Sequence, residues 1–246
     1  MKLLRINSND YTGQMKVNRK EYNIMEFRFS DLSDMHQKQL VEEAAILANE
    51  VNPHSANEGI FRSLIQRKND AIAGLLAEYA VVELLNSLSP GSAYRPAALS
   101  AKNQIDIVWT DPASKIHSIE VRSSFVNNGL PFGLFAYNHS ENTSYFDVLG
   151  PYRQENYKKE YESTKDLFFR VLFEGKKSHV HERFIVNDEQ FYIIGAMSGD
   201  RIRELNNHKS LKPGSAVQKK SDFSGDYYVA PINRIGDIQQ FINNFL

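Results

Sequence analysis

Between Ala71 and Val82 the chain reads AIAGLLAEYAVV, and Glu78 is the one charged residue in it. Asn69 or Asp70 offers an N-cap in front, and Ser89–Pro90–Gly91 stops the pattern behind. The spacing predicts a helix over AIAGLLAEYAVVELLNSL. A carboxylate buried in such a stretch without a partner is costly. Glu83, the next charged residue, lies five positions on and points about 140° away at 3.6 residues per turn. The two acids therefore do not share one solvated stripe. Glu78 either occupies a narrow wet face or belongs to a site that needs it, and any fold for this chain has to place it.

The 246 residues suggest one large domain, or one domain with an appendage. A hydrophobic content of 41% is enough for a true core. No apolar run approaches the roughly 20 residues that span a bilayer. MKLLRINSND lacks the apolar segment of a secretory signal. The absence of cysteine excludes disulfides, thiolate zinc sites and cysteine nucleophiles. A cytoplasmic location, with no membrane partner, is the expectation. A net charge of −1 neither suggests nor excludes a nucleic-acid partner, because a local basic groove can hide in a neutral total. The basic pairs Lys158–Lys159, Lys176–Lys177, Lys219–Lys220 and Arg201 with Arg203 read first as solvated surface.

Residues 1–29 are mixed in character and suggest short strands or an arm. SDLSDMHQKQLVEEAAILANEV reads as a helix, with N-caps between Ser30 and Asp34 and an end at Asn52–Pro53. A second helical stretch is expected from about Asn57 to Arg67. Then the period changes. QIDIVWT and KIHSIEVRSS alternate as strands around the turn signal Asp111–Pro112. DLFFRVLFE, ERFIVN, FYIIGAM and DYYVAPI are apolar runs of strand length, with Gly195 read as a strand-end glycine. SGDRIRELNN reads as a short helix, and IGDIQQFINNFL as an amphipathic closing helix. The order fits an α/β (α+β) fold with a central mixed sheet flanked by helices. The expected organisation is an N-terminal helical or arm region over 1–56, packed on a core over 57–246. The stretch from about Asn127 to Lys165 is too long for a plain connection and reads as a functional insertion.

The strand pair carries the chemistry. In SIEVRSS, Ser118, Glu120, Arg122 and Ser124 share one face, and Ile119, Val121 and Ser123 the other. Asp106 is disfavoured by propensity in the middle of a strand. With a turn centred near Ala113, Asp106 falls opposite Glu120, where Cβ atoms are about 4.5–5.5 Å apart. Two like charges there repel unless a cation lies between them. Hard oxygen ligands select Mg²⁺, which takes one or two carboxylates plus waters and substrate phosphates. Phosphodiester hydrolysis needs that arrangement, with a nearby cation to steady the developing charge.

A helix bearing Glu78, then Asp106 in IDIVW, then Glu120 and Arg122 in IEVRSS resembles the core of the PD-(D/E)XK nuclease superfamily, which includes many type II restriction endonucleases. GLLAEYAVVELLN is similar to its first core helix, and DLFFRVLFE with FYIIGAMSGDRIRE is similar to its later strands and helix. The resemblance covers roughly 60–200. It implies a restriction-endonuclease-like core and a Mg²⁺-dependent, sequence-specific DNA endonuclease. Asp106, Glu120 and Glu78 are then the metal-site carboxylates, and Arg122 the basic residue that stabilises the transition state. Double-stranded DNA as substrate favours a homodimer. Ile105 stands where the family often has proline, and Arg122 where it usually has lysine. Arginine does not deprotonate at working pH, so Arg122 serves as a phosphate clamp and not as a base.

Two other readings stay open. One is a catalytically decayed relative that binds DNA or protein; the other is an unrelated α/β protein in which these groups form ion pairs. Tyr152, Arg153, Lys158 and Lys159, with Tyr137, Tyr145 and Tyr157, are candidates for DNA contact, or for packing the insertion on the core. His179 and His181 would point the same way on a strand, but no third metal ligand is near them in sequence.

Overall fold

The computed structural model describes residues 1–11, 21–51, 53–54, 61–96, 105–138, 143–144, 147–152, 165–205, 210–211 and 227–245. Strands β1 (Lys2–Asn7) and β2 (Glu21–Phe27) open the chain. Helices α1 (Asp34–Glu50) and α2 (Leu64–Leu88) follow. Then come β3 (Ala93–Tyr94), β4 (Ile107–Thr110), β5 (Ile116–Val126) and α3 (Leu130–Phe135). The short strands β6 (Tyr137–Asn138), β7 (Thr143–Ser144) and β8 (Asp147–Tyr152) lead to β9 (Leu167–Glu174) and β10 (Phe191–Ser198). Helix α4 (Gly199–Leu205), strands β11 (Ser210–Leu211), β12 (Tyr227–Pro231) and β13 (Gly236–Asp237), and helix α5 (Ile238–Phe245) complete it.

The main sheet is mixed and runs β1-β2-β10-β9-β5-β4-β3, with β13 also paired to β10. Only β5 and β9 are parallel; the other pairings are antiparallel. Helices α1, α2 and α5 cover one face, where Leu40, Leu76, Trp109, Phe169 and Phe241 pack together. The opposite face buries Leu134, Phe135, Phe168, Leu172 and Ile202 beside α3 and α4. The expected mixed sheet flanked by helices is therefore present. The arm expected over 1–56 does more than pack on it, because β2 pairs with β10 and brings β1 and β2 into the sheet itself. From the 127–165 insertion, β8 pairs with β12 in a second sheet, β11-β12-β8.

The long helix differs from expectation at its start. Residues 57–60 lie outside the described residues, but α2 begins at Leu64 and runs unbroken through Asn69 and Asp70. Ser63 is the cap: its Oγ accepts from the Gln66 N–H at 3.3 Å, and its own N–H donates to Gln66 Oε1 at 2.7 Å. Asn69 is buried, where it ties α2 to the later chain by donating to Ser178 O at 3.0 Å and accepting from His181 N–H at 3.1 Å. By length and composition α2 is apolar enough to cross a membrane, yet 61% of its most apolar window is buried in the fold.

ERFIVN is not a strand. Residues His181–Val186 form a π-helical segment that sets Phe184 edge-on against the stacked rings of Phe173 and Phe191, with centroids 5.0 and 6.3 Å away. Arg183 anchors it by donating to Glu174 O at 2.6 Å and pairing with Glu189. Burial of one aromatic ring outweighs the extended preference of the β-branched residues around it. His179 and His181 consequently do not form an i, i+2 strand pair, and His179 faces the Glu182 carboxylate at 3.5 Å instead. Gly195 lies within β10 and not at its end. A Cβ there would stand 2.0 Å from Gly236 O, so only glycine lets β13 approach.

Candidate active site

The β4–β5 hairpin is set by its turn. Asp111 accepts from the Lys115 N–H at 2.9 Å and pairs with His117 Nε2 at 2.8 Å, both residues being buried beneath Trp109 and Phe245. This closure pairs Trp109 with His117 and Ile107 with Ile119. The ladder ends at Ile107 and Ile119, and the expected Asp106–Glu120 pair is not part of it. The carboxylate is not mid-strand, because β4 starts at Ile107. Asp106 stands at the strand's mouth, its N–H donating to Ile119 O at 3.2 Å while its Oδ2 accepts from the Val121 N–H at 2.8 Å. The side chain takes the place of a ladder carbonyl, and that bond fixes where the carboxylate sits.

Glu120 is buried, and its Oε1 lies 3.0 Å from Arg122 Nη2. The two share a strand face, as alternation predicts, and the ion pair expected as the structural alternative for Arg122 is formed with Glu120. Glu78 projects from α2 with its side chain 18% exposed. Its partner comes from outside the expected set: Arg95 donates from Nε to Glu78 Oε2 at 2.7 Å and from Nη1 to Glu43 Oε2 at 2.5 Å. Tyr79 steadies this arm, its hydroxyl donating to Glu43 Oε1 at 2.8 Å and its ring lying 4.6 Å below the Arg95 guanidinium.

The acids feel one another. Burial, then the Asp106 charge, pushes the Glu78 carboxyl up to about 8, with Glu120 adding to the rise and Arg95 opposing it. Burial also raises Asp106, against the pull of the Val121 N–H and the Arg122, Lys165 and Arg95 charges. Lys165 is itself buried, just before β9. The next residue, Asp166, clasps β5 by accepting from the Ser118 N–H and hydroxyl, both at 2.7 Å, so the backbone beside Lys165 is pinned to the strand that carries Glu120.

The expected residues Glu78, Asp106, Glu120 and Arg122 thus share one electrostatic neighbourhood. Arg95 and Lys165 join it unforeseen. Neither lies in a periodic segment, and only the position of Lys165 ahead of an apolar strand hints at it. Among the described residues no group of three or more His, Asp or Glu side chains is placed to hold a metal ion. Glu78 is held by Arg95 and Glu120 by Arg122, and the Asp106 carboxylate by the Val121 N–H. Two carboxylates suit Mg²⁺, which fills its remaining positions with water and substrate oxygens.

Of the candidates for DNA contact, Tyr152 closes β8. Its side chain lies outside the described residues, as do Arg153, Lys158 and Lys159. His117 is consumed by Asp111, and Ser124 accepts from buried Arg170 at 2.7 Å. Comparison with family models, curated proteins and solved structures returns no match to this chain.

Proposed function

We propose that this chain is a Mg²⁺-dependent endonuclease that hydrolyses phosphodiester bonds of double-stranded DNA in the manner of a restriction enzyme. The observation that carries the reading is the bond from the Val121 N–H that holds the Asp106 carboxylate against the strand bearing Glu120 and Arg122, with Glu78 in the same field. The order of parts also supports it: a helix carrying Glu78, a hairpin carrying Asp106 and Glu120, then the parallel neighbour β9, as in the PD-(D/E)XK arrangement.

Asp106 and Glu120 would hold Mg²⁺, which when bound polarises the phosphoryl oxygen and acidifies a water. Arg122 clamps a phosphate oxygen and steadies the charge that develops on it. Arg95 fixes Oε2 of Glu78, leaving Oε1 to orient the attacking water. A carboxyl raised to about 8 exchanges its proton near neutral pH, the range useful to a general base. Cutting both strands of a duplex favours a twofold homodimer, and the absence of cysteine suits a cytoplasmic enzyme.

A second reading is favoured by the Glu120–Arg122 and Glu78–Arg95 pairs, which already neutralise two of the acids: a non-catalytic relative that binds DNA or protein. Incubation with a mixed plasmid and phage DNA panel separates the two. Wild type is expected to cleave with Mg²⁺ and to stop in EDTA, and Glu120→Ala to lose about 10²–10³-fold. Arg122→Lys should retain cleavage. Binding without cleavage under every divalent cation would establish the second reading.

A further inference from the structure

Two of the glycines inside regular elements have visible reasons, and Gly74 does not. At Gly195 a Cβ would strike Gly236 O, and at Gly133 it would press within 3.1 Å of Val126 Cγ2. At Gly74, in the body of α2, a Cβ would meet nothing within 4 Å. Glycine there weakens the helix relative to alanine, and no neighbouring atom requires it. Gly74 instead lines an open cleft of about 330 Å³ between α2 and β5. Ala73 beside it is also small. The facing wall carries Ser123, which shares a β5 face with Val121 and Phe125 yet is much smaller than either.

The cleft adjoins the candidate active site along both walls. Gly74 and Glu78 are four residues apart on one face of α2. Ser123 is two residues from Val121, whose N–H holds Asp106. The mouth of the cleft carries a cation that can meet an anion. Asp70 there pairs with Arg62 at 2.9 Å and with Lys177 at 2.8 Å. Lys177 is 55% exposed and keeps its reach into solvent.

We propose that this cleft is a subsite for the nucleotide flanking the scissile phosphate, its sugar lying against Gly74 and its phosphodiester between Ser123 and Lys177. The assignment rests on the nuclease reading and extends it to a place where the substrate strand runs along α2. A bare helix surface is then useful because it admits the strand closely, at the expense of helix stability.

The test uses the full chain, sheared phage DNA as probe, and three variants. Binding is measured in Ca²⁺ and cleavage in Mg²⁺. Gly74→Ala should raise Tm by about 2–4 °C. Gly74→Leu should melt no lower than wild type but bind DNA at least about ten-fold more weakly, an affinity loss without a stability loss. Lys177→Gln, which leaves Asp70 its Arg62 partner, should lower the slope of log K against log[salt] by about one. It decides the matter even if the leucine variant fails to fold. Wild-type cleavage with unchanged DNA affinity in Gly74→Leu, or an unchanged salt slope in Lys177→Gln, would overturn the subsite and leave the nuclease reading standing. A wild type that neither binds nor cuts DNA would overturn both.

Discussion

Replacing Glu78 with glutamine should flatten the pH dependence of folding stability between pH 4.5 and about 8. In the folded protein the Glu78 carboxyl is raised from its ordinary 4.5 to about 8, first by burial and then by Asp106. Between those values the folded state holds a proton that the unfolded chain has released. The unfolded state then binds fewer protons, so stability falls as pH rises. The contribution is complete below about pH 4.5 and gone above about pH 8. At about 1.36 kcal/mol per pH unit, this gap has a ceiling of about 5 kcal/mol. Glutamine has the same shape, carries no charge, and still accepts from Arg95 through its amide oxygen. Urea unfolding of both proteins at pH 5, 6.5, 8 and 9, without divalent ions, isolates the effect as a difference of two curves. The variant should gain on wild type by several kcal/mol from pH 5 to pH 9. Addition of Mg²⁺ should restore part of the wild-type stability at high pH, because a bound cation takes over the proton's role. Parallel stability curves for the two proteins would refute the argument that Glu78 is held against its charge.

Gly195→Ala would force a Cβ to 2.0 Å from Gly236 O and part β10 from β13, with an expected loss of about 3 kcal/mol in chemical denaturation. A loss below about 1 kcal/mol would show that the two strands separate freely. Lys165→Met removes one of the charges that hold the Asp106 carboxyl down, so its titration midpoint, followed by carboxyl ¹³C NMR, should rise. A midpoint that stays in place would remove Lys165 from the site.

The parts of this protein set by neighbours in sequence were legible without a structure. Period-two alternation in IDIVWT and KIHSIEVRSS, with Asp111–Pro112 between them, specifies a hairpin, and a hairpin's register follows from its turn. Ile107 could therefore be placed against Ile119 from local chemistry alone, but Asp106 leaves that ladder, its place at the strand's mouth coming from the Val121 N–H. The apolar run around Glu78 likewise announced a buried helix. Where long-range burial competes with local preference, the tertiary structure decided. Asn69 looks like a helix cap, but Ser178 and His181 satisfy it inside a longer helix. ERFIVN has strand residues, but Phe184 gains more by packing edge-on against Phe173 and Phe191. Arg95 and Lys165 reach the acids from segments that are neighbours only in space. No pattern of spacing along a chain encodes such an approach, because the Coulomb field that unites these charges depends on distance through the fold and not on distance in sequence.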